Sequence, residues 1–214
     1  MYETGYSNIP VNPPPAPQRT VRRIDASGLR LVLAGSLLVF LDFRLLGFDV
    51  LPDFAGYLII FFGLRRLAEY HPMFRKSSAF TLLIFILSFS DLYSAEQADL
   101  SLSEALRIFS LIAAPVALIF SMLALFYTTS GISALAGQTG NPELQDTSRR
   151  MFVIKGAMSV ASTLILPVVL FFPAAAAVLG IPAALIGFVV EIIYLVYLNR
   201  AFHALDDQEI EENR

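Results

Sequence analysis

The sequence predicts an all-α integral membrane bundle of six transmembrane helices, and three observations predict it. Of 214 residues, 56% are apolar and only 15% are charged, with a mean hydropathy of +0.66. Soluble domains run at about 45–50% apolar and about 25% charged, so this balance lies outside their range. The apolar residues also gather into runs. A bilayer core about 30 Å thick takes roughly 20 residues per helical span, so about 120 apolar residues supply about six spans and little else. Finally, basic residues alternate from one connection to the next in step with those runs. A soluble enzyme of this length and a large extramembrane domain are excluded. Zero cysteines exclude disulfides, thiolate catalysis and cysteine-ligated metal. A net charge of −3 offers nothing to a nucleic-acid backbone.

Taken in order, residues 1–27 read as a disordered, proline-rich cytoplasmic tail. Residues 1–20 hold five prolines, including Pro13, Pro14 and Pro15, and too little apolar surface to offset chain entropy. Such a tail can also serve as a polyproline ligand. It is too long and polar for the start of a cleaved signal peptide, and no A-x-A site follows the first apolar run, so that run is expected to stay. Residues 28–200 form the membrane domain, with spans at about 28–46, 54–70, 78–93, 105–127, 151–172 and 182–198. The ambiguous stretch is 173–182, which is itself apolar and reads as a loop, a re-entrant piece or a helical extension. Gly180 and Pro182 are its strongest breakers and place the turn there. Residues 201–214 read as an acidic cytoplasmic tail carrying Asp206, Asp207, Glu209, Glu211 and Glu212, a solvated helix end or a dock for a basic partner.

Orientation follows from the basic residues, which accumulate on the cytoplasmic side. Arg19, Arg22, Arg23 and Arg30 precede or open the first span. Arg65, Arg66, Arg75 and Lys76 flank the second connection, Arg149, Arg150 and Lys155 the fourth, and Arg200 and Arg214 the end. Of 15 basic residues, only Arg44 and Arg107 fall on the other face, beside Asp42, Asp49, Asp53, Asp91, Glu96, Asp99 and Glu104. Both termini are therefore expected in the cytoplasm. The expected partners are the lipid bilayer and other membrane proteins, and nucleic acid is not among them.

The spacings that carry known chemistries are absent. There is no H-E-x-x-H, no G-x-S-x-G and no G-x-x-x-x-G-K-[ST], so no catalytic activity is expected. His71 and His203 sit at predicted helix ends and read as surface residues, so no metal site and no cofactor is expected. Ionisable groups at membrane depth are costly and are functional candidates by default. Glu191 is the clearest, sharing a helix face with Ala183, Gly187, Tyr194 and Leu198, and so turned toward the bundle. No basic residue is expected at its depth, and an unpaired carboxylate in hydrocarbon favours its neutral form. On the fifth span Lys155, Ser159, Ser162 and Thr163 fall on one polar stripe, with Lys155 free to snorkel toward the headgroups. With Glu191 they make a candidate ion or proton site, or else an interhelical hydrogen-bonding seam. The fourth span carries a smaller stripe at Ser110, Ala114, Ala117, Ser121 and Ala124, and Pro115 is expected to kink it. Gly28 and Gly35 on the first span, and Gly56 and Gly63 on the second, predict two helices in close contact.

The most distinctive segment is the first outer hairpin, where Asp42, Arg44, Asp49 and Asp53 crowd a short connection. Asp53, after Pro52, suits the start of the second helix, where a carboxylate accepts free N–H groups and meets the positive end of the helix dipole. The same cluster offers some of the oxygen ligands that a divalent cation needs. Residues 51–67, L-P-D-F-A-G-Y-L-I-I-F-F-G-L-R-R-L, resemble the L-P-D-F-x-G-Y hallmark of an uncharacterised family of small multi-pass membrane proteins of Gram-positive bacteria. The resemblance implies a bacterial plasma-membrane protein and transfers no catalytic residue. Two functions follow as expectations. One is a structural, regulatory or assembly subunit of that membrane, and the other is a small proton- or cation-linked transporter or channel using Glu191 and the hydroxyl stripe.

Overall fold

The computed structural model describes residues 20–41, 44–45, 48–49, 53–93, 100–171 and 176–212, with side chains described for 22–41, 54–88, 115–165 and 178–210. These residues form an all-α protein with two small antiparallel ribbons. The helices are α1 (Ser27–Leu41), α2 (Asp53–Leu67), α3 (Pro72–Tyr93), α4 (Leu100–Gln138), α5 (Pro142–Phe171) and α6 (Ile181–Leu205). The ribbons pair β1 (Thr20–Arg23) with β4 (Glu209–Glu212), and β2 (Arg44–Leu45) with β3 (Phe48–Asp49). Each helix packs on its neighbours in sequence and α6 returns to α1, so the six close into a ring.

Local chemistry sets the ends of these helices. Asn141 Oδ1 accepts the Leu144 N–H at 3.0 Å, and Pro142 takes the first helical position, where its missing N–H costs nothing. Just before it, Gly140 adopts φ 70°. The Asn141 and Gly140 N–H groups bond back to Ala136 and Gly137 at 2.8 and 3.3 Å, which stops α4 in a Schellman turn. His71 begins α3 in the same way, its Nδ1 accepting the Met73 N–H at 3.3 Å ahead of Pro72. The glycines of α1 and α2 face each other. A Cβ at Gly28 would lie 2.6 Å from the Gly63 carbonyl oxygen, and one at Gly35 would lie 2.6 Å from that of Gly56. Only hydrogen fits there, so the two backbones touch.

The best-packed core lies at one end of the ring. Leu29, Leu64, Leu67, Phe74, Ile132, Leu135, Leu198 and Leu205 are all 1% exposed or less, and they come from α1, α2, α3, α4 and α6. Arg30, Arg65, Arg66, Arg75, Lys76, Arg149 and Arg150 belong to the same end, and β1 and β4 meet there. Ile24 and Ile210 are buried in this core, and Ile24 exchanges backbone hydrogen bonds with Asp207 and Gln208 at 3.1 and 2.8 Å. Asp207, at φ 61°, turns the chain back from α6 into β4. Arg22 pairs with Glu69 and Asp25 with Arg66, each at 3.0 Å, while Tyr70 Oη accepts the Asp25 N–H at 2.9 Å. This clasp locks the paired β1 and β4 segments onto the α2–α3 turn.

Several sequence expectations change here. Residues 20–26 are a strand and a helix lead-in, so the tail of 1–27 is shorter than its composition predicts, and residues 1–19 lie outside the described residues. The segment 201–214 is not simply a solvated tail, since α6 runs to Leu205 and Glu209–Glu212 pairs with Thr20–Arg23. The reason is charge complementarity between an arginine-bearing strand and a glutamate-bearing one, joined by buried isoleucines. The helix α4 overruns its predicted span of 105–127 by eleven residues at its C-terminal end, unbroken through Pro115. Its polar residues stay helical because Thr128 and Thr129 donate to their own helix at Ala124 and Leu125, at 2.8 and 2.9 Å. Neither Gly180 nor Pro182 breaks the chain between α5 and α6. A π-helical turn, Ala176–Gly180, runs straight into α6, with Gly180 at φ −68° and ψ −47° and Pro182 in the first turn. Among the described residues, two segments, Pro115–Gln138 and Val178–Leu205, are by themselves long and apolar enough to cross a bilayer, and this weakly supports a membrane protein.

Candidate functional site

Inside the ring lies a cavity of about 440 Å3 to which all six helices contribute. Its polar lining comes from Ser36 on α1, Tyr57 on α2, Thr81 on α3, Ser121 and Thr128 on α4, Lys155 and Ser159 on α5, and Glu191 and Tyr194 on α6. Helix geometry brings Lys155 and Glu191 to one level. At 1.5 Å per residue, Lys155 lies about 20 Å from the start of α5 and Glu191 about 21 Å from the end of α6, both measured from the basic end. Val32, Leu125 and Tyr194 belong both to the cavity wall and to the buried core, so the chamber ends on an apolar floor toward the basic end.

Lys155 Nζ donates to both carboxylate oxygens of Glu191, at 2.7 and 2.8 Å. It also stands 3.7 Å from the centre of the Tyr194 ring, within the range where a cation is attracted to an aromatic face. One ammonium thus occupies the whole carboxylate, and a buried tyrosine backs the pair. The two side chains remain 21% and 23% exposed, which means that both face the chamber and neither is sealed in the core. Among the described lining residues they carry the only charges. Around them the hydroxyls split into two kinds. Thr81 and Thr128 donate to backbone carbonyls at 3.0 and 2.8 Å, and Ser77 Oγ lies 2.7 Å from Thr128 Oγ1, fastening α3 to α4. Ser36, Ser121 and Ser159 present hydroxyls to the cavity from three different helices.

The pair corrects the sequence reading on two points. Lys155 does not turn back to the headgroups, and a basic residue does stand at the depth of Glu191. The fifth-span stripe also divides. Lys155 and Ser159 line the chamber, whereas Ser162 is exposed and Thr163 donates to the Ser159 carbonyl of its own helix at 3.0 Å. Sequence reasoning passed over Ser36, Thr81 and Thr128; Ser36 is a lone hydroxyl on an otherwise apolar stretch, which is the signal that marks it. In the outer hairpin, Arg44 and Asp49 are register partners of the β2–β3 ribbon and α2 begins at Asp53. Asp42 lies outside the described residues, as do the side chains of Arg44, Asp49 and Asp53. No group of three or more metal-ligating side chains occurs among the described residues. A second hollow, of about 450 Å3, is lined by α4 and α5 alone and holds Arg149 with Ser130, Ser133 and Gln145.

Compared with family models, curated proteins and solved structures, the chain matches none. The site therefore has to be argued from its own chemistry.

Proposed function

We propose that this chain is a six-span integral membrane protein of the bacterial plasma membrane, with both termini cytoplasmic, that binds a small polar solute in the chamber and works as a carrier. The membrane reading is supported by the outer surface. On α6, Ile181, Leu185, Ile186, Phe188, Val189 and Val196 are each more than half exposed, a stripe too large to face water in a monomer. Val153, Leu164, Ile86, Ile119 and Phe62 continue the apolar surface on the other helices. Because the ring is closed, the shorter helices share the depth of the two long apolar ones. The pairing of β1 with β4 at the basic end supports an even number of crossings, and the basic residues favour the cytoplasm for that end.

The observation that carries the binding reading is the Lys155–Glu191 pair in the wall of a chamber shared by six helices. A pair that only fastened α5 to α6 would be expected within packed side chains. The buried apolar residues Leu29, Phe74 and Ile132 beyond the chamber favour a carrier over an open channel. The test is uptake by membrane vesicles of a pooled, isotope-labelled extract of polar metabolites. Vesicles holding the chain are expected to accumulate at least one solute that vesicles holding Ser159→Phe, in which the ring fills the chamber, do not. Identical uptake by both would remove the reading and leave the pair as a structural fastener.

A further inference from the structure

The way the chamber's charges are spent constrains what it can hold. Lys155 and Glu191 neutralise one another completely, with one ammonium on both carboxylate oxygens at 2.7 and 2.8 Å. A purely cationic ligand that took Glu191 would leave Lys155 without its counter-ion in the half-buried chamber wall, and a purely anionic ligand that took Lys155 would leave Glu191 so. Stranding one partner of such a pair is unfavourable. A neutral ligand would leave the pair intact but would gain only hydroxyl contacts. A ligand carrying both charges avoids the difficulty, because it exchanges one ion pair for two.

Resting on the chamber reading above, we infer that the solute is a small zwitterion, with an ammonium group for Glu191 and an anionic oxygen group for Lys155. The surrounding chemistry matches the anionic half. The Tyr194 ring, 3.7 Å from Lys155 Nζ, holds that ammonium in the chamber wall, where it can meet an anionic oxygen. Ser159 lies one helical turn from Lys155, where its hydroxyl can donate to an anionic oxygen. The volume of about 440 Å3 falls in the range of small-molecule pockets and admits a solute the size of an amino acid. Two sources share this chemistry: free amino acids, and the phosphoethanolamine headgroup of a lipid.

The experiment uses the full chain in dodecyl maltoside, a non-ionic detergent, so that no zwitterionic lipid competes. The probes are the standard L-amino acids and glycerophosphoethanolamine, scored by the rise in melting temperature seen by circular dichroism and then by equilibrium dialysis. For each zwitterion that binds, the matched amine and the matched carboxylate are measured; for leucine these are isoamylamine and 4-methylpentanoate. The expected result is at least one zwitterion bound, at least tenfold more tightly than either single-charge counterpart. Binding is also expected to be lost in the Lys155→Met/Glu191→Gln double variant, which keeps shape without charge. An amino acid as the binder identifies a free solute, and glycerophosphoethanolamine identifies a lipid headgroup. A single-charge compound that binds as tightly as its zwitterion would overturn the inference while leaving a ligand chamber in place. If no probe binds but vesicle uptake still depends on the chamber, the inference likewise fails alone. Failure of both assays removes the chamber reading as well.

Discussion

Replacing Gly63 by alanine adds one methyl group at the closest approach of α1 and α2. The new Cβ would stand 2.6 Å from the Gly28 carbonyl oxygen and 2.9 Å from both Leu31 Cβ and the Val32 nitrogen. Two of these are backbone atoms, so no side chain can swing aside. Ordinary contact begins near 3.4 Å, so α1 has to retreat by about 0.8 Å along its whole interface with α2. Overpacking of this kind costs about 1–3 kcal/mol, offset by the ~0.5–1 kcal/mol gained when a helical glycine becomes alanine. The expected net loss is about 1–2 kcal/mol. Gly137→Ala is the matched control, because its Cβ would meet only Gln145 Nε2, at 3.5 Å. There the helix gain stands unopposed, and the variant is expected to be neutral or more stable. The assay is unfolding of the purified chain by sodium dodecyl sulfate, followed by circular dichroism. A Gly63→Ala chain as stable as its parent, beside a Gly137→Ala chain that behaves as expected, would refute the argument from close contact.

Other consequences can be checked as directly. Reporter fusions after Tyr70, after Thr139 and at the C-terminus are expected to report cytoplasm, and fusions near Phe48 and Asp99 the opposite side; an external C-terminus would contradict the even number of crossings. Lys155→Met leaves the half-buried Glu191 without its cation and is expected to destabilise the chain, while Lys155→Met/Glu191→Leu recovers most of that loss in the same unfolding assay. At the basic end, the Ser27 N–H bonded to Asp25 Oδ1 at 2.9 Å, together with the Arg66 charge, holds the Asp25 carboxyl below its usual range, and burial pushes the His71 imidazole below its ordinary 6.5. Both shifts are downward, so the unfolded chain binds more protons. The stability they contribute is full above the unfolded values and is lost as pH falls through the folded ones. Melting temperature is therefore expected to fall from pH 7 to pH 2 by more in the parent than in Asp25→Asn/His71→Asn, and an equal or smaller fall in the parent would contradict it.

Much of the fold was legible because helices in an apolar chain announce themselves locally. The glycine faces at Gly28, Gly35, Gly56 and Gly63 were readable from spacing alone, and so was the inward face of Glu191. What could not be read depends on how distant segments register. Whether Lys155 snorkels outward or meets Glu191 is decided by the relative depth of α5 and α6, and that depth is set when α6 closes the ring against α1. Likewise, Thr20–Arg23 and Glu209–Glu212 look like solvated charge runs until their opposite signs are laid side by side. Hydropathy also marks where the apolar surface ends, not where the helix ends, and so it lost the last turns of α4, whose threonines bond back to their own carbonyls. Thr163 escaped for the same reason: a hydroxyl that bonds to its own helix looks, in sequence, like one that faces a cavity.

The central claim is a polar chamber inside the ring, and the absence of cysteine from the sequence makes it open to a direct measurement. Single cysteines are placed in turn at Ser36, Ser121 and Ser159, which line the chamber, and at Leu164 and Ile186, which are 68% and 56% exposed on the outer apolar surface. Membranes carrying each variant are treated from both faces with a small, charged methanethiosulfonate, which modifies only thiols that meet water. The account predicts modification at Ser36→Cys, Ser121→Cys and Ser159→Cys, and none at Leu164→Cys and Ile186→Cys. Lining cysteines as unreactive as those two, or outer cysteines that react as readily as the lining ones, would contradict it.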